Sequence, residues 1–378
     1  MRIAHFSDTH LGRTQFTRTT TGGINQREFD LMASFRATLK AIEAQEPDLV
    51  IHAGDFFDKV RPGNWSVIQA FRGVALLQKA RRGRPFLIIG GNHDSPQTAD
   101  AEHILRLFEE IDGVRVVTRT VETVECPDLD LYVMLAPSDA VRRGDRTQLS
   151  PVTSRKTKVL TLHGLATGIK KDVGEFDPAL TYPDRWDYVA LGDYHVAQDL
   201  GTNIRYCGST DFASTNLWEE VGTAKSWTLY DTETRSYETF EIEVRPIVDL
   251  KAIDAAEMDA ADLNSALQAN FVVDEEKLPV VRQLVHNVHT DLRRTLDMAI
   301  VRELQQRCLH YHFVPLSQRA EGESVAQVAA KTASLEELWA DHIEHAEISL
   351  SLDRAEVVRV GQDLLREAAE HEADQSEA

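Results

Sequence analysis

The stretch DYVALGDYHVAQ, residues 187–198, joins a buried strand to polar chemistry. Its apolar run from Tyr188 to Gly192 is typical of a strand that is buried on both faces. Asp193 and His195 follow this run directly. A carboxylate and an imidazole at one strand end suggest a shared task only if other strands end in the same way. The rest of the chain therefore decides the meaning of this stretch.

Five further apolar runs in the first 245 or so residues read as buried strands: RIAHF, DLVIHAG, PFLIIGG, LYVMLA and KVLTLHG. Amphipathic segments separate the early runs, as in the helical spacing of Phe29, Met32, Phe35, Leu39 and Ile42. Strand–helix alternation predicts an α/β layered fold with crossover helices. The segment WTLYDTETRSYETFEIE, residues 227–243, is typical of a hairpin that closes this unit.

Length and composition limit the class of protein. With 378 residues, the chain predicts two or three domains. The opening MRIAHFSDTH has no apolar region of the kind found in secretory signals, no apolar run has the length of a membrane span, and the three cysteines lie far apart. These features predict a cytoplasmic protein without a membrane segment. The net charge of -20 argues against nucleic-acid binding by the whole chain, for which a basic surface is expected. Residues 317–378, however, carry half of this negative charge.

The character of the sequence changes near Pro246. We predict a metal-site domain at 1–245, a small α+β domain at 246–316, a linker at 317–333, a helix pair at 334–366 and an acidic tail at 367–378. Capping-box patterns at Ser334 and Asp353 start the two helices. Their apolar stripes are Leu335, Leu338 and Ile343, then Val357, Val360 and Leu364. These stripes pack either on the parent domain or on another protein.

Potential metal ligands follow the predicted strands in order. They are Asp8 and His10, then Asp55, then Asn92 and His93, then His163, and finally Asp193 and His195. Ligand sites of α/β sheets form at the carboxyl ends of the strands, so these side chains are expected to converge. Carboxylates and imidazoles are costly to bring together unless cations neutralise them, and mixed Asp, His and Asn ligands suit manganese, iron(II) or zinc. The sequence therefore predicts a metal site.

Five motifs carry a family resemblance. SDTHLG, AGDFFD, GGNHDS, LHG and ALGDYH resemble the signatures of calcineurin-like metallophosphoesterases. Among these, the chain is most similar to the SbcD/meiotic-recombination-eleven branch, the nuclease subunit of a double-strand-break repair complex. The resemblance implies a metallophosphoesterase sandwich with a cap domain and a partner-binding helix pair. It also implies a metal-dependent nuclease with 3′-to-5′ exonuclease and single-strand endonuclease activity.

The resemblance also assigns roles to residues. It implies two divalent ions, most simply manganese, with magnesium, iron or zinc as alternatives, bridged by Asp55. The first site would add Asp8, His10 and His195, and the second Asn92, His163 and Asp193. His93 would stabilise the phosphate or protonate the leaving group, and Asp58 would orient it. The family normally has histidine where this chain has Asp193, which is expected to change the second site's metal preference.

The expected partners are DNA, an SbcC/Rad-fifty-type coiled-coil ATPase and a second copy of the chain, with location at the nucleoid when DNA is bound. Two alternatives stay open: a phosphodiesterase or phosphatase for small phosphorylated substrates, and a weakened scaffold that binds DNA ends. The basic stretch from Arg142 to Lys158 reads equally well as a solvated surface loop and as a phosphate-backbone contact.

Overall fold

The structure is a computed structural model that describes residues 1–96, 102–144, 149–170, 173–317, 339, 343 and 356–361. Its strands are β1 (Arg2–Phe6), β2 (Leu49–His52), β3 (Phe86–Ile89), β4 (Val114–Val117), β5 (Glu122–Cys126), β6 (Leu131–Ala136), β7 (Thr157–His163), β8 (Tyr188–Gly192), β9 (Gln198–Asp199), β10 (Ile204–Tyr206), β11 (Ser226–Asp231), β12 (Ser236–Glu241), β13 (Ile247–Asp249), β14 (Ile253–Asp254), β15 (Val280–Val288) and β16 (His310–Ser317). Its helices are α1 (Gln26–Gln45), α2 (Asn64–Arg81), α3 (Ser138–Arg142), α4 (Ala260–Asn270), α5 (Thr290–Thr295) and α6 (Met298–Gln306).

Two six-stranded sheets form the α/β layers. The first has the order β12-β11-β1-β2-β3-β4, and the second has the order β5-β6-β7-β8-β10-β9. Strands β1 to β4 run parallel, as do β6, β7, β8 and β10, whereas the outer strands β11, β12, β5 and β9 pair antiparallel. The parallel core brings the carboxyl ends of the central strands to one edge of each sheet.

The pleat of β1 shows how the layers are held together. Ile3 belongs to the apolar cluster between the two sheets, while Ala4 and Phe6 belong to the cluster beneath α1 and α2. This alternation follows from the two-residue period of a strand. Both faces of the first sheet are therefore covered, which explains why its strands read as continuous apolar runs.

Helix α1 begins where the sequence places a good cap. The Asn25 side chain accepts hydrogen bonds from the backbone N–H groups of Arg27 and Glu28, and the helix ends at Gln45 with Glu46 as its C-cap, whose φ is 47°. The helix buries Met32, Phe35 and Leu39 against the first sheet. Most of the predicted helical stripe is thus confirmed, but Phe29 is 43% exposed.

The described residues divide into two compact units. One contains 1–253, 258–285 and 295–314, and the other contains 254–257, 286–294 and the described residues from 315 onward. In the larger unit, β13 pairs parallel with β15 in a third sheet. Within the same unit, the loop after β10 packs on this part of the chain through Phe212, Leu217 and Leu309.

Candidate metal centre

The residues predicted as ligands follow five strands whose carboxyl ends meet. They follow β1, β2 and β3 in the first sheet and β7 and β8 in the second. Backbone hydrogen bonds tie their loops together, from Asp8 N–H to the Gly54 carbonyl and from His10 N–H to the Asp55 carbonyl, both at 3.0 Å. Asp193 N–H donates to Asp8 Oδ1 at 3.1 Å. This last bond joins the two sheets at the site.

Four of these residues have a left-handed backbone. The φ angles are 53° at Asp8, 43° at His10, 53° at Asp55 and 100° at Asp193. Such conformations in non-glycine residues cost on the order of 1–3 kcal/mol each and cluster at functional sites. Local propensity therefore does not explain them, and the side chains they deliver to one point do.

Two glycines allow the loops to approach this closely. A Cβ at Gly91 would lie 2.0 Å from Asp55 Oδ1, and one at Gly192 would lie 1.9 Å from the Ala53 carbonyl oxygen. Any larger residue would push the loops apart. The glycine directly before Asn92 and the glycine directly before Asp193 are thus part of the site.

The first cluster consists of Asp8, His10 and His195, whose potential ligand atoms lie within 4.8 Å of one another. The Nε2 atoms of His10 and His195 are 3.1 Å apart. His10 Nε2 also lies 3.5 Å from Asp55 Oδ2. This is the set predicted for the first ion, with Asp55 at its edge.

The second cluster surrounds His163. Its Nε2 lies 3.6 Å from Asp55 Oδ1, 3.6 Å from Asp193 Oδ1 and 3.0 Å from the Asn92 side-chain amide. The same amide atom lies within 3.3 Å of carboxylate oxygens of both aspartates. The structure therefore brings Asp55, Asn92, His163 and Asp193 together, as predicted for the second ion. Asp55 belongs to both clusters.

The hydrogen bonds behind the imidazoles fit a metal site. His163 Nδ1 lies 2.7 Å from the Ala53 carbonyl oxygen, and His195 Nδ1 lies 2.9 Å from Glu220 Oε1. Because those partners accept hydrogen bonds, each Nδ1 carries the proton, and each Nε2 is directed into the clusters as a ligand atom. Lone pairs of nitrogen and oxygen thus converge at both places, and divalent cations suit this set of donors.

Burial sets the charges of the site. Burial raises the pKa of Asp8 to about 7, and the charge of Asp55 adds to this effect. Burial also acts to raise the pKa of Asp55, but the neighbouring His163 outweighs it and holds that pKa below its usual range. Positive charge in the clusters therefore decides whether the carboxylates ionise, and a bound cation supplies that charge.

His93 lies beside the first cluster. Its ring contacts the His10 ring edge-to-face, with the centroids 4.7 Å apart, and its backbone N–H donates to Asp55 Oδ1 at 2.9 Å. Its Nδ1 lies 3.2 Å from the backbone carbonyl oxygen of Asp58. The Asp58 carboxylate instead accepts a hydrogen bond from Arg13 at 2.8 Å and lies 3.5 Å from His10 Nδ1. Asp58 thus contacts His93 through its main chain.

Sequence reasoning missed two charged groups of this site. Glu220 accepts a hydrogen bond from His195, and the buried Lys225 forms an ion pair with its second oxygen. Burial acts to raise the pKa of Glu220, but His195 and Lys225 lower it to about 2. Neither residue follows a strand of the parallel core. The paired acids in NLWEE have the composition of a solvated turn, so no pattern at this position indicates a buried carboxylate.

Asp94 joins the loop after β2 to the loop after β3 by hydrogen bonds. It is fully buried and accepts hydrogen bonds from the backbone N–H groups of Phe56 and Gly91, both at 2.9 Å. These bonds hold the loops after β2 and β3 in register. The final residue of the GGNHD stretch is therefore structural, because it positions the loops that carry Asp55 and Asn92.

An open cleft leads to the clusters. Its volume is about 250 Å³, and its walls include His10, His93, Asp193, Tyr194 and His195. Lys170 stands at the wall with its amine 3.9 Å from Glu219. The cleft thus gives a substrate access to both predicted metal positions and to His93.

The remaining predicted residues belong to the helix pair and to the basic stretch. Residues 356–361 are helical, Ile343 is buried, and Val360 is 44% exposed. Leu335, Leu338 and Leu364 lie outside the described residues. In the basic stretch, Arg142, Arg143 and Arg155 form ion pairs with nearby carboxylates.

A model of the calcineurin-like phosphoesterase family matches residues 1–197, more than half of the chain. The chain therefore belongs to the calcineurin-like phosphoesterase family, and the predicted layered α/β sandwich is confirmed.

Similarity to curated proteins indicates the branch of this family to which the chain is most similar. The chain is 24% identical over 357 residues to the DNA double-strand break repair protein Mre11 of Sulfolobus acidocaldarius, covering 91% of this chain and 90% of that protein. It is 30% identical to the Mre11 protein of Haloferax volcanii, over 64% of this chain and 55% of that protein. With the Mre11 protein of Sulfurisphaera tokodaii it is 29% identical over 56% of this chain and about half (54%) of that protein. These similarities confirm the predicted resemblance to the SbcD/meiotic-recombination-eleven branch.

Among the described residues, the helices are too short or too polar to cross a bilayer.

Proposed function

We propose that the chain is a metal-dependent phosphodiesterase that cleaves DNA. One observation carries this proposal: two clusters of ligand atoms share Asp55, and His93 stands next to them in an open cleft. A carboxylate shared by two ligand clusters would hold two cations close together, which suits two-metal phosphoester hydrolysis. The family match and the similarity to DNA repair proteins support the same reaction.

Each residue of the site has a task in this reaction. Two bound cations would supply Lewis-acid activation of water and of the phosphodiester. Asp55 fixes the spacing of the two sites and also holds the His93 backbone N–H. His93 is the general acid that protonates the leaving alkoxide, because its Nδ1 is held by the Asp58 carbonyl and its ring lines the cleft.

The proposed substrate is DNA, with 3′-to-5′ exonuclease and single-strand endonuclease activity on cytoplasmic DNA ends. The similarity to proteins of double-strand break repair supports this choice. Residues 317–378 carry half of the overall charge of -20 and residues 1–316 carry the other half, so the proposal relies on local basic groups rather than on net charge. Lys170 at the cleft wall offers a cation to a phosphate backbone.

One incubation tests this proposal. Purified chain with Mn²⁺ is given end-labelled DNA and a small chromogenic phosphodiester, with the His93→Ala variant as the matched control. Metal-dependent cleavage of DNA that the control lacks is the expected result. Cleavage of the small diester alone would indicate a hydrolase of small substrates, and DNA binding without any cleavage would indicate a scaffold. Either outcome contradicts the proposal.

We propose manganese as the metal. The second cluster contains the carboxylates of Asp55 and Asp193 and the amide of Asn92, with His163 as its imidazole. Oxygen-rich sites favour Mn²⁺ or Mg²⁺ over softer ions, while the two imidazoles of the first cluster disfavour Mg²⁺. Mn²⁺ suits both clusters.

We further propose that residues 334–366 bind an SbcC/Rad-fifty-type ATPase. In the described part of this segment, the Trp339 indole N–H donates to the Val357 carbonyl at 3.4 Å, and a Cβ at Gly361 would meet the same indole. The two halves of the segment thus contact each other. Val360 leaves apolar surface for a partner, in the manner of a helix docked into a groove.

A second copy of the chain is the proposed partner of α2. On α2, Trp65 packs partly against the core beneath the helix, while Ile68 and Leu76 are 47% and 69% exposed. Phe29 of α1, which is 43% exposed, stacks on Trp65, with ring centroids 6.3 Å apart. Exposed apolar side chains grouped on helices are typical of a protein interface. Light scattering should show a dimer, and Leu76→Glu should give a monomer.

A further inference from the structure

The two clusters differ in the groups behind their imidazoles. His195 Nδ1 is hydrogen-bonded to the Glu220 carboxylate at 2.9 Å. His163 Nδ1 is hydrogen-bonded to a neutral main-chain carbonyl, that of Ala53, at 2.7 Å. A carboxylate behind a ligating imidazole fixes its tautomer and makes it a stronger ligand than a carbonyl does.

The Glu220 carboxylate is itself rigidly held. Both Glu220 and Lys225 are buried, and Lys225 forms an ion pair with Glu220 Oε2. The Lys225 ammonium also donates to the His195 carbonyl oxygen at 3.1 Å and to Ser209 Oγ at 2.9 Å. Its three donors are therefore all used within this network, and none is left for a substrate.

Removing one partner of this pair would leave the other as an uncompensated buried charge, which is costly. A buried ion pair of this kind is more than a surface turn needs for its own stability. The other carboxylate oxygen of Glu220, Oε1, accepts the hydrogen bond from His195 Nδ1. The main chain of His195 is held by the same ammonium. Protein groups thus hold both the ring and the backbone of this ligand.

We propose that Glu220, held by Lys225, is the positioning residue that locks His195 with Nε2 as its ligand atom and makes the first site the tighter of the two. This inference rests on the metal centre of the proposed function. Its test is metal binding without DNA, so it can fail while the nuclease proposal stands, and the reverse is also true.

Two double variants separate positioning from packing. Glu220→Gln with Lys225→Met removes both charges but keeps an oxygen acceptor for His195. Glu220→Leu with Lys225→Met removes the same charges and the acceptor. The two proteins share the loss of the ammonium, so they differ chiefly in the hydrogen bond to Nδ1, and replacing both partners of a buried pair preserves folding better than replacing one.

The measurement is a calorimetric Mn²⁺ titration together with long-range ¹H–¹⁵N spectra of the histidines in the metal-free proteins. We expect the tighter binding step to weaken about 10–100-fold in the Leu/Met protein and by clearly less in the Gln/Met protein, whose amide oxygen keeps the hydrogen bond to His195 but not the charge. The His195 proton should reside on Nδ1 in wild type and in the Gln/Met protein only. Wild-type affinity in the Leu/Met protein, or equal losses in both, would overturn the proposal.

A single substitution covers the case in which the Leu/Met protein does not fold. Glu220→Asp keeps the ion pair but shortens the side chain by one methylene, which withdraws the carboxylate from His195 Nδ1. The tighter step should again weaken, and the weaker step should stay unchanged. An unchanged tighter step would contradict the positioning role.

Discussion

The two ligand clusters share Asp55 and the same strand edge, yet their surroundings are unequal. The first cluster has two imidazoles, and the ring of His195 is backed by a buried carboxylate. The second has one imidazole, backed by a main-chain carbonyl, and includes the carboxylate of Asp193. The comparison teaches that ligand identity alone does not rank two sites, because the groups behind the ligands set their orientation and strength.

The largest expected effect comes from the residue that the clusters share. Asp55→Asn should remove both ions and reduce cleavage by roughly a thousandfold or more, because neither site keeps its bridging carboxylate. Elemental analysis of the purified protein and a DNA cleavage assay give the two readouts. Retention of one full equivalent of metal would show that the clusters are independent of Asp55.

The next effect falls on chemistry alone. His93→Ala should keep both ions and lose about 10²–10⁴-fold in cleavage rate, because a general acid contributes on that scale. The matched control is His286→Ala, which removes an exposed histidine that belongs neither to the clusters nor to the cleft wall. A loss of metal in the His93 variant would make His93 a ligand and would contradict the assignment.

Asp193 tests the second cluster separately. Asp193→Ala should keep the first ion, lose the second and lose most of the activity. If it retained both ions and normal rates, the second site would be built differently.

Asp193→His, unlike Asp193→Ala, should keep the second ion, and the metal preference of that site should shift toward zinc or iron. A ligating imidazole must be neutral, so protons compete with the metal as the pH falls through the ordinary histidine pKa. Binding at the second site should therefore weaken more steeply below about pH 6.5 in this variant than in wild type. Metal stoichiometry measured across pH is the check, and parallel pH profiles would contradict this prediction.

The smallest effect on cleavage is expected for the predicted helix pair. Deleting residues 334–366 should leave the rate of the isolated chain within about twofold, because all the predicted ligands and His93 belong to the first 195 residues. The same deletion should abolish co-purification with an SbcC-like ATPase. Full-affinity binding by the truncated chain would place the docking surface elsewhere.

The sequence predicted the parts of this structure that repeat a local rule. The six apolar runs became β1, β2, β3, β6, β7 and β8, because strands buried on both faces need continuous apolar residues. The predicted ligands converge because the carboxyl ends of parallel strands meet. The hairpin of residues 227–243 is confirmed as β11 and β12, which extend the first sheet beside β1.

Features set by distant contacts could not be read in the same way. The short strands β9 and β10 have no distinctive pattern: β10 forms along the edge of β8, and β9 pairs in turn with β10. Glu220 is 25 residues from His195 and lies in a short turn of helix, so only the folded chain shows that it is buried behind a ligand. Phe29 is likewise partly exposed although it lies in the predicted stripe, and its ring stacks on Trp65 of α2, a residue distant in sequence.

The presence of two unequal metal sites joined at Asp55 can be tested by anomalous diffraction from crystals containing Mn²⁺. With one equivalent of Mn²⁺, we expect a single peak among Asp8, His10, His195 and Asp55. With excess Mn²⁺, we expect a second peak about 4 Å away, among Asp55, Asn92, His163 and Asp193. A first peak at the His163 cluster, or no second peak at any concentration, would contradict the presence of these two unequal sites.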